Sequence, residues 1–480
     1  MMHWFRQGVV VVVALVSAAC AGSNDPVPGQ AGLAATPPPV ETSAATRSPT
    51  PEVLPAAASD SRAGLAYHSG HSTYIFDDDE LRTYELTLTP EDLAKIDADP
   101  AAEEYVEGKL TFEGQTLPVG IRYKGSIGAF VNCLSGRDVF NPSGSKTCVK
   151  LSMKIKINWN DTDDTFYGVK KLQFHAQNLD PTALHERLGY WLFREMGVPA
   201  PRSVHARVVV NGEFIGLFGL TEQIDGRFTR ENFDDGGGNL YKEVWPISSD
   251  GQALPEIAHL AGLKTNEEIE SNASLMVGFA TEVVGAAPGE VAGVLDRWLD
   301  VDQMLAYGLV DRAIANDDGA LHFYCFAAPH CEPHNFYWYE NPSTQQLHLI
   351  PWDLDNAFEN IRGPANPVTP IADGWGEISN DCEPFTPPGA FVAQRSAACD
   401  PIWGSLATMT TSFGEVQRKF LGGPFSVDVV NAQLDGWAAQ IARAVLEAAD
   451  AHPGAMSVSQ WERAVEQLRL DLEIVRTSAG

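Results

Sequence analysis

From Lys150 to Ile157 the sequence alternates without a break: Leu151, Met153, Ile155 and Ile157 are apolar, and Lys150, Ser152, Lys154 and Lys156 are polar. A period of two puts the four apolar side chains on one face of a strand and the lysines on the other, so the chain must form a sheet with one buried face. Lys109–Phe112 and Leu117–Tyr123, bounded by Gly, Pro and Asn, read as two earlier strands. Asp180-Pro181-Thr182 then opens a helix in which Leu184, Leu188, Trp191 and Leu192 recur at helical spacing until Gly197. Val204–Val210 and Glu213–Leu220 flank Asn211-Gly212, a pair suited to the positive φ angles of a tight hairpin. The apolar helix through Met304, Leu305, Tyr307, Leu309 and Ile314 and the amphipathic stretches 427–449 and 457–476 follow. The order predicts an α+β fold, with strands early and helices late.

Before this region, Arg6 precedes an apolar run from Gly8 to Val16, and Ser17, Ala18 and Ala19 lead into Cys20. That is the pattern of a signal peptide over residues 1–20, with Cys20 placed as in a lipobox although Ser17 stands where Leu is usual. Lipid anchoring and plain secretion are both open, and the expected location is extracytoplasmic. Residues 21–63 are dominated by Ala, Pro, Ser and Thr and read as a disordered linker. Residues 64–480 hold no second such break and read as one domain with two lobes. A net charge of −30 makes nucleic acid and anionic lipid poor partners and leaves a lipid anchor as the route to a membrane; a monomer is expected. Besides Cys20, the six cysteines fall in three local pairs, Cys133 with Cys148, Cys325 with Cys331 and Cys382 with Cys399, which an oxidising compartment favours as disulfides. Zinc on Cys331 with His330 and His334 is the weaker reading, since the same thiol would oxidise.

The segments Gly120-Ile-Arg-Tyr-Lys-Gly-Ser126, Lys150-Leu-Ser-Met-Lys-Ile-Lys156, Phe166-Tyr-Gly-Val-Lys-Lys-Leu172, Gly197-Val-Pro-Ala-Pro-Arg202, Gly216-Leu-Phe-Gly-Leu-Thr-Glu-Gln-Ile-Asp225, Gly238-Asn-Leu-Tyr-Lys242 and Pro351-Trp-Asp-Leu-Asp355 occur in that order. Together they resemble the motifs of the spore-coat protein H (CotH) family of atypical protein kinases, over about Tyr84 to Arg476. The resemblance implies an atypical bilobal protein-kinase-like fold, with a mixed-sheet N-lobe and a helix-rich C-lobe. It also implies ATP and Mg²⁺ or Mn²⁺, with Ca²⁺ as an alternative ion, and transfer to Ser or Thr hydroxyls of exported or surface proteins. A non-catalytic envelope or adhesion scaffold is the competing reading.

Phosphoryl transfer asks for cations on the phosphates, oxygen ligands on the metal and a carboxylate near the attacking hydroxyl. Asp353 and Asp355, two apart at a strand end, would turn the same way toward a hard cation, and the resemblance gives Asp353 the metal-binding role. It also makes Asp318 the catalytic carboxylate, with Asp317 its competitor in an Asp-Asp-Gly run that suits an ordinary turn equally well, and Asn335 a second metal ligand. On the phosphate side stand Arg122, Lys124 and Lys154, with Lys150 and Lys156 as alternatives to Lys154; Glu186 is the expected partner of Lys154, and Glu222 a nucleotide-pocket contact. The ordinary protein-kinase signatures Gly-x-Gly-x-x-Gly, His-Arg-Asp and Asp-Phe-Gly are absent, as are Gly-x-Ser-x-Gly, His-Glu-x-x-His and the Walker lysine loop. Asp161-Thr-Asp-Asp164 reads as a turn, because Leu172 stands where a calcium loop needs Glu.

Overall fold

Alternation around Lys154 builds one strand of a closed barrel. β1 (Arg82–Thr87), β2 (Val106–Phe112), β3 (Gln115–Tyr123), β4 (Met153–Lys156), β5 (Lys171–His175), β6 (Ser203–Val210) and β7 (Glu213–Thr221) pair in the order β1-β2-β3-β4-β5-β7-β6. β6 returns beside β1 in parallel, with Arg82 opposite Ala206 and Leu86 opposite Val210; the other pairs are antiparallel, so the sheet is mixed. The computed structural model describes residues 71–479, apart from Ile127, Val139, Phe140, Glu270, Ala328, Asn366, Pro367 and Phe391. The expected signal peptide, the linker and Cys20 lie outside the described residues.

Inward-facing residues of each strand, among them Tyr84, Phe112, Ile121, Ile155, Phe174 and Leu220, fill the barrel with Leu151, Met153 and Ile157. Tyr84 packs against Phe112 and Phe174 with ring centroids 4.9 and 5.2 Å apart. Removing one such ring, as in Phe174→Ala, should cost about 3–5 kcal/mol. Asn211 (φ 52°) and Gly212 (φ 81°) make the β6–β7 turn as their sequence demands. β4 starts three residues later than the alternation suggests, because the Lys150 carbonyl accepts from Asn178 Nδ2 at 2.9 Å instead of joining the ladder.

The helix expected from Pro181 begins at His185 and ends at Glu195. Asp180 accounts for the delay: its carboxylate accepts hydrogen bonds from the Thr182 N–H (2.8 Å), the Thr182 hydroxyl (2.6 Å) and the His185 N–H (2.8 Å). Those bonds stabilise a turn that holds Ala183 at φ 59°. Leu188, Tyr190, Leu192 and Phe193 then join a second apolar cluster, separate from the barrel's, built largely on helices after residue 270, including Val301–Ala313, Val427–Ala451 and Val458–Ala479. Trp245 sits inside it, its ring centroid 5.5 Å from Phe336 and 6.0 Å from Trp403.

β8 (Leu240–Lys242), β9 (Phe323–Ala327), β10 (His330–Glu332), β11 (Phe336–Asn341), β12 (Gln346–Pro351) and β13 (Ala393–Arg395) form two small sheets, ordered β12-β11-β8 and β10-β9-β13. Disulfides join Cys133 to Cys148, Cys325 to Cys331 and Cys382 to Cys399, the local pairing read from spacing. With Cys331 so bonded, the zinc reading loses its thiolate. Among the described residues no helix is long and apolar enough to cross a membrane.

Candidate active site

The register of β3, β4 and β5 aligns the basic residues on the outer face of the barrel. Arg122 lies opposite Lys154, which lies opposite Gln173; one step along, Lys156 lies opposite Lys171. Lys124 follows the end of β3, anchored by its N–H to the Ser152 carbonyl at 2.8 Å. Its Nζ is 2.7 Å from His175 Nε2, and His175 Nδ1 is 2.7 and 2.9 Å from the two oxygens of Glu186. The Thr221 hydroxyl donates to Glu186 Oε2 at 3.1 Å. Glu186 stands in the first turn of the His185–Glu195 helix, only 1% exposed.

The expected pairing of Lys154 with Glu186 therefore gives way to a different one. His175 occupies the carboxylate, and the lysine bound through it is Lys124. Lys154 lies one row away, its pKa pushed down to about 7 by burial and by the charges of Lys171, Lys124 and Arg122. Arg122 is held by Glu103 at 2.6 Å. Lys150 points elsewhere, its Nζ donating to the Leu217 carbonyl at 2.8 Å. Glu222 is 1% exposed, and Arg202 and Arg227 bind its oxygens at 2.6 and 2.5 Å, so the structure turns it into an ion-pair centre rather than a free pocket contact.

Asp353 approaches from the opposite side, two residues past β12. It is not in a strand: its φ is 54°, so strand alternation is not what brings Asp353 and Asp355 together. Two bonds fix the bend, the Trp352 N–H to the Asn335 carbonyl and the Asp353 N–H to the Tyr190 hydroxyl, both 3.0 Å. Asn335, also at positive φ (55°), donates from Nδ2 to the carbonyl and to Oδ2 of Asp318, each at 3.0 Å. Burial and the charge of Asp353 push Asp318 up to about 7. Burial raises Asp355 well above the carboxylate range, and Asp353, Glu186 and Asp318 raise it further while Lys124 opposes them. Lys124 itself is lowered by burial and raised by Asp353, Glu186 and Asp355.

Asp317 and Asp318 diverge. The Asp317 carboxylate accepts from Asn360 Nδ2 and from the Ile371 N–H, both at 2.9 Å, and its carbonyl accepts from His322 and from the Tyr324 hydroxyl. It braces the loop behind the site, while Asp318 faces Asn335 and Asp353. Lys124, Glu186, Asp318, Asn335, Asp353 and Asp355 are thus linked by contact or by mutual charge.

Sequence reading passed over His175 and Tyr190. His175 had one signal: in Leu172-Gln173-Phe174-His175 the apolar residues fill the core, which turns Gln173 and His175 to the lysine face. His175, Glu186 and Asp353 each offer a ligand atom within 4.8 Å of the others, and carboxylate and amide oxygens crowd the neighbouring ground. The carboxylate oxygens of Asp353 and Asp355 and the side-chain oxygen of Asn335 are the hard donors that suit a divalent ion, while the His175 ring nitrogens are taken up by Lys124 and Glu186.

A family model described as "CotH kinase protein" matches residues 121–470. The chain belongs to the CotH kinase family. This CotH kinase-family chain is 20% identical over 280 residues to the inner spore coat protein H of Bacillus subtilis (strain 168), an alignment covering 57% of this chain and 68% of that protein. It also aligns with a solved structure described as the Shewanella oneidensis MR-1 toxin–antitoxin system HipA, HipB and its operator DNA complex. That match has 11% identity and covers 75% of this chain and 71% of that one, but its TM-score of 0.27 carries no fold argument. CotH family membership supports a kinase-like or coat-associated function, and the disulfides and the spore-coat relative are compatible with an extracytoplasmic location.

Proposed function

We propose that the chain is an exported atypical kinase that transfers the γ-phosphoryl group of ATP to a Ser or Thr hydroxyl of an exported or surface protein. The observation that carries this reading is the meeting of Lys124, Glu186, Asp318, Asn335 and Asp353, which come from five separate segments of the chain. A scaffold has no use for buried acids that raise one another's pKa beside a buried lysine. The separate apolar cores of the barrel and of the helices support a bilobal arrangement of the protein-kinase kind.

In this reading Lys124 faces the phosphates, with Arg122 and Lys154 one row out along the sheet. Asp318 accepts the proton of the acceptor hydroxyl as its oxygen bonds to Pγ; the bond from Pγ to the β–γ bridging oxygen breaks, and ADP leaves. Asp353, Asp355 and Asn335 would hold Mg²⁺ or Mn²⁺, which when bound neutralises charge on the phosphate oxygens. Asn335 orients Asp318 through its 3.0 Å hydrogen bond. The test is incubation of the full chain with γ-labelled ATP, Mg²⁺ or Mn²⁺ and a Ser/Thr-rich protein, beside Asp318→Asn and Asp353→Ala. Label should enter the substrate with wild type alone. Equal label with all three proteins, or none with either metal, would refute the proposal.

A further inference from the structure

We infer that His175 is a positioning residue that transmits the charge of Glu186 to Lys124 and holds that ammonium at the acid cluster. The inference rests on the kinase reading for its purpose and on the geometry alone for its existence. The imidazole is interposed between the two charged groups, 2.7 Å from Lys124 Nζ at Nε2 and 2.7 Å from Glu186 at Nδ1. One proton assignment gives every donor an acceptor: the Nε2 lone pair takes a Lys124 N–H, and Nδ1–H donates to Glu186. The ammonium then spends one of its three N–H bonds on the ring and keeps two for phosphate oxygens.

The ring has little freedom to do anything else. It is 6% exposed, and Glu186 is pinned from its other side by the Thr221 hydroxyl, itself 3.0 Å from Ser203 Oγ. His175 meets Trp352 edge-on, with centroids 6.0 Å apart and planes at 82°. The Lys124 ammonium lies 5.6 Å from the centre of that same indole, and Trp352 immediately precedes Asp353. One ring therefore ties together the sheet that carries the lysine, the helix that carries the glutamate and the bend that carries Asp353. Although His175, Glu186 and Asp353 lie close enough to share an ion, both ring nitrogens are already engaged.

The test has two arms. In the first, ¹⁵N-histidine-labelled full chain, without nucleotide or metal, is examined by NMR, with His175→Gln used to assign the resonance. The expected result is a neutral ring protonated at Nδ1; a ring protonated at Nε2, or at both nitrogens, overturns the inference. In the second, His175→Gln, which keeps one acceptor and one donor, is compared with His175→Phe, which keeps only shape. His175→Phe should lose about 100-fold in kcat, the scale of a misplaced group, and His175→Gln should recover most of it at a matching melting temperature. If activity in both variants merely follows the melting temperature, the ring is structural and the inference falls. If wild type transfers no phosphate with either metal, the kinase reading fails while the tautomer still decides the role of His175.

Discussion

Glu222→Gln removes one negative charge from a centre that two arginines share. Glu222 accepts from the Arg202 N–H and Nε at 3.0 Å each, from Arg202 Nη2 at 2.6 Å and from Arg227 Nη2 at 2.5 Å. Burial favours its neutral form, but the Arg202 hydrogen bond and the charges of Arg202 and Arg227 outweigh burial and hold the pKa below the usual range. Breaking a buried pair costs about 3–5 kcal/mol. Glu231 still reaches both guanidiniums at 2.8 Å, which places this loss near the lower end, at about 3 kcal/mol. With an unfolding entropy of about 2.1 cal/mol/K per residue over roughly 400 residues, the melting temperature should fall by about 4 °C. The pH dependence has a definite sign. A depressed carboxylate contributes stability that is present above its unfolded pKa and lost as pH falls through its folded pKa, so the gap between the two proteins should narrow as pH falls below the unfolded glutamate value of about 4.3. Differential scanning fluorimetry at pH 7 and pH 3.5, with and without ATP and Mg²⁺, measures both effects. A melting temperature unchanged at pH 7 together with lost nucleotide-dependent stabilisation would refute this reasoning and make Glu222 a ligand contact.

Asp318→Asn should lower phosphoryl transfer by about 100-fold or more while keeping the thermal shift produced by ATP and Mg²⁺; full activity in the variant would discard Asp318 as the base. Asp317→Asn should chiefly lower the melting temperature, because its carboxylate holds Asn360 and the Ile371 N–H; an unshifted melt would count against its bracing role. Burial pushes Asp311 up to about 7, so the stability it contributes is full below its unfolded pKa and lost as pH rises to neutrality. Asp311→Asn should therefore flatten the decline in melting temperature between pH 4 and pH 8, with an upper limit of about 4 kcal/mol gained at pH 8; parallel pH profiles would contradict it. Reduction of the three disulfides should lower the melting temperature, each bond contributing about 2–4 kcal/mol, and an identical melt in reductant would show that they carry no stability.

What could be read early was whatever neighbouring residues decide among themselves. Leu151, Met153, Ile155 and Ile157 announce a buried strand face, and Asn211-Gly212 announces its own turn. The cysteine pairs are close in sequence and close in space. What escaped depends on distant partners. Barrel register, not local pattern, puts Lys124 and His175 within reach of each other, so the lysine facing Glu186 could not be chosen among several on one face. The helix start shifted because Asp180 makes three local hydrogen bonds that a continuous helix would forfeit. Asp353 lies at a positive φ that aspartate tolerates but does not advertise, held there by Tyr190 from a helix far away in sequence.

The parallel seam between β1 and β6 has a kinetic corollary. β1 begins at residue 82, and the strand that seals it ends at residue 210, with β7 following to residue 221. Until those residues are available, β1 and the growing sheet present bare edges able to pair with other chains. Closure is a long-range step and so a slow one, which makes the interval before it the period of greatest aggregation risk. Once the seam forms, the barrel has no edge left to offer, and anything this protein meets through that half must be recognised by loops, helices or the outward side chains of the strands.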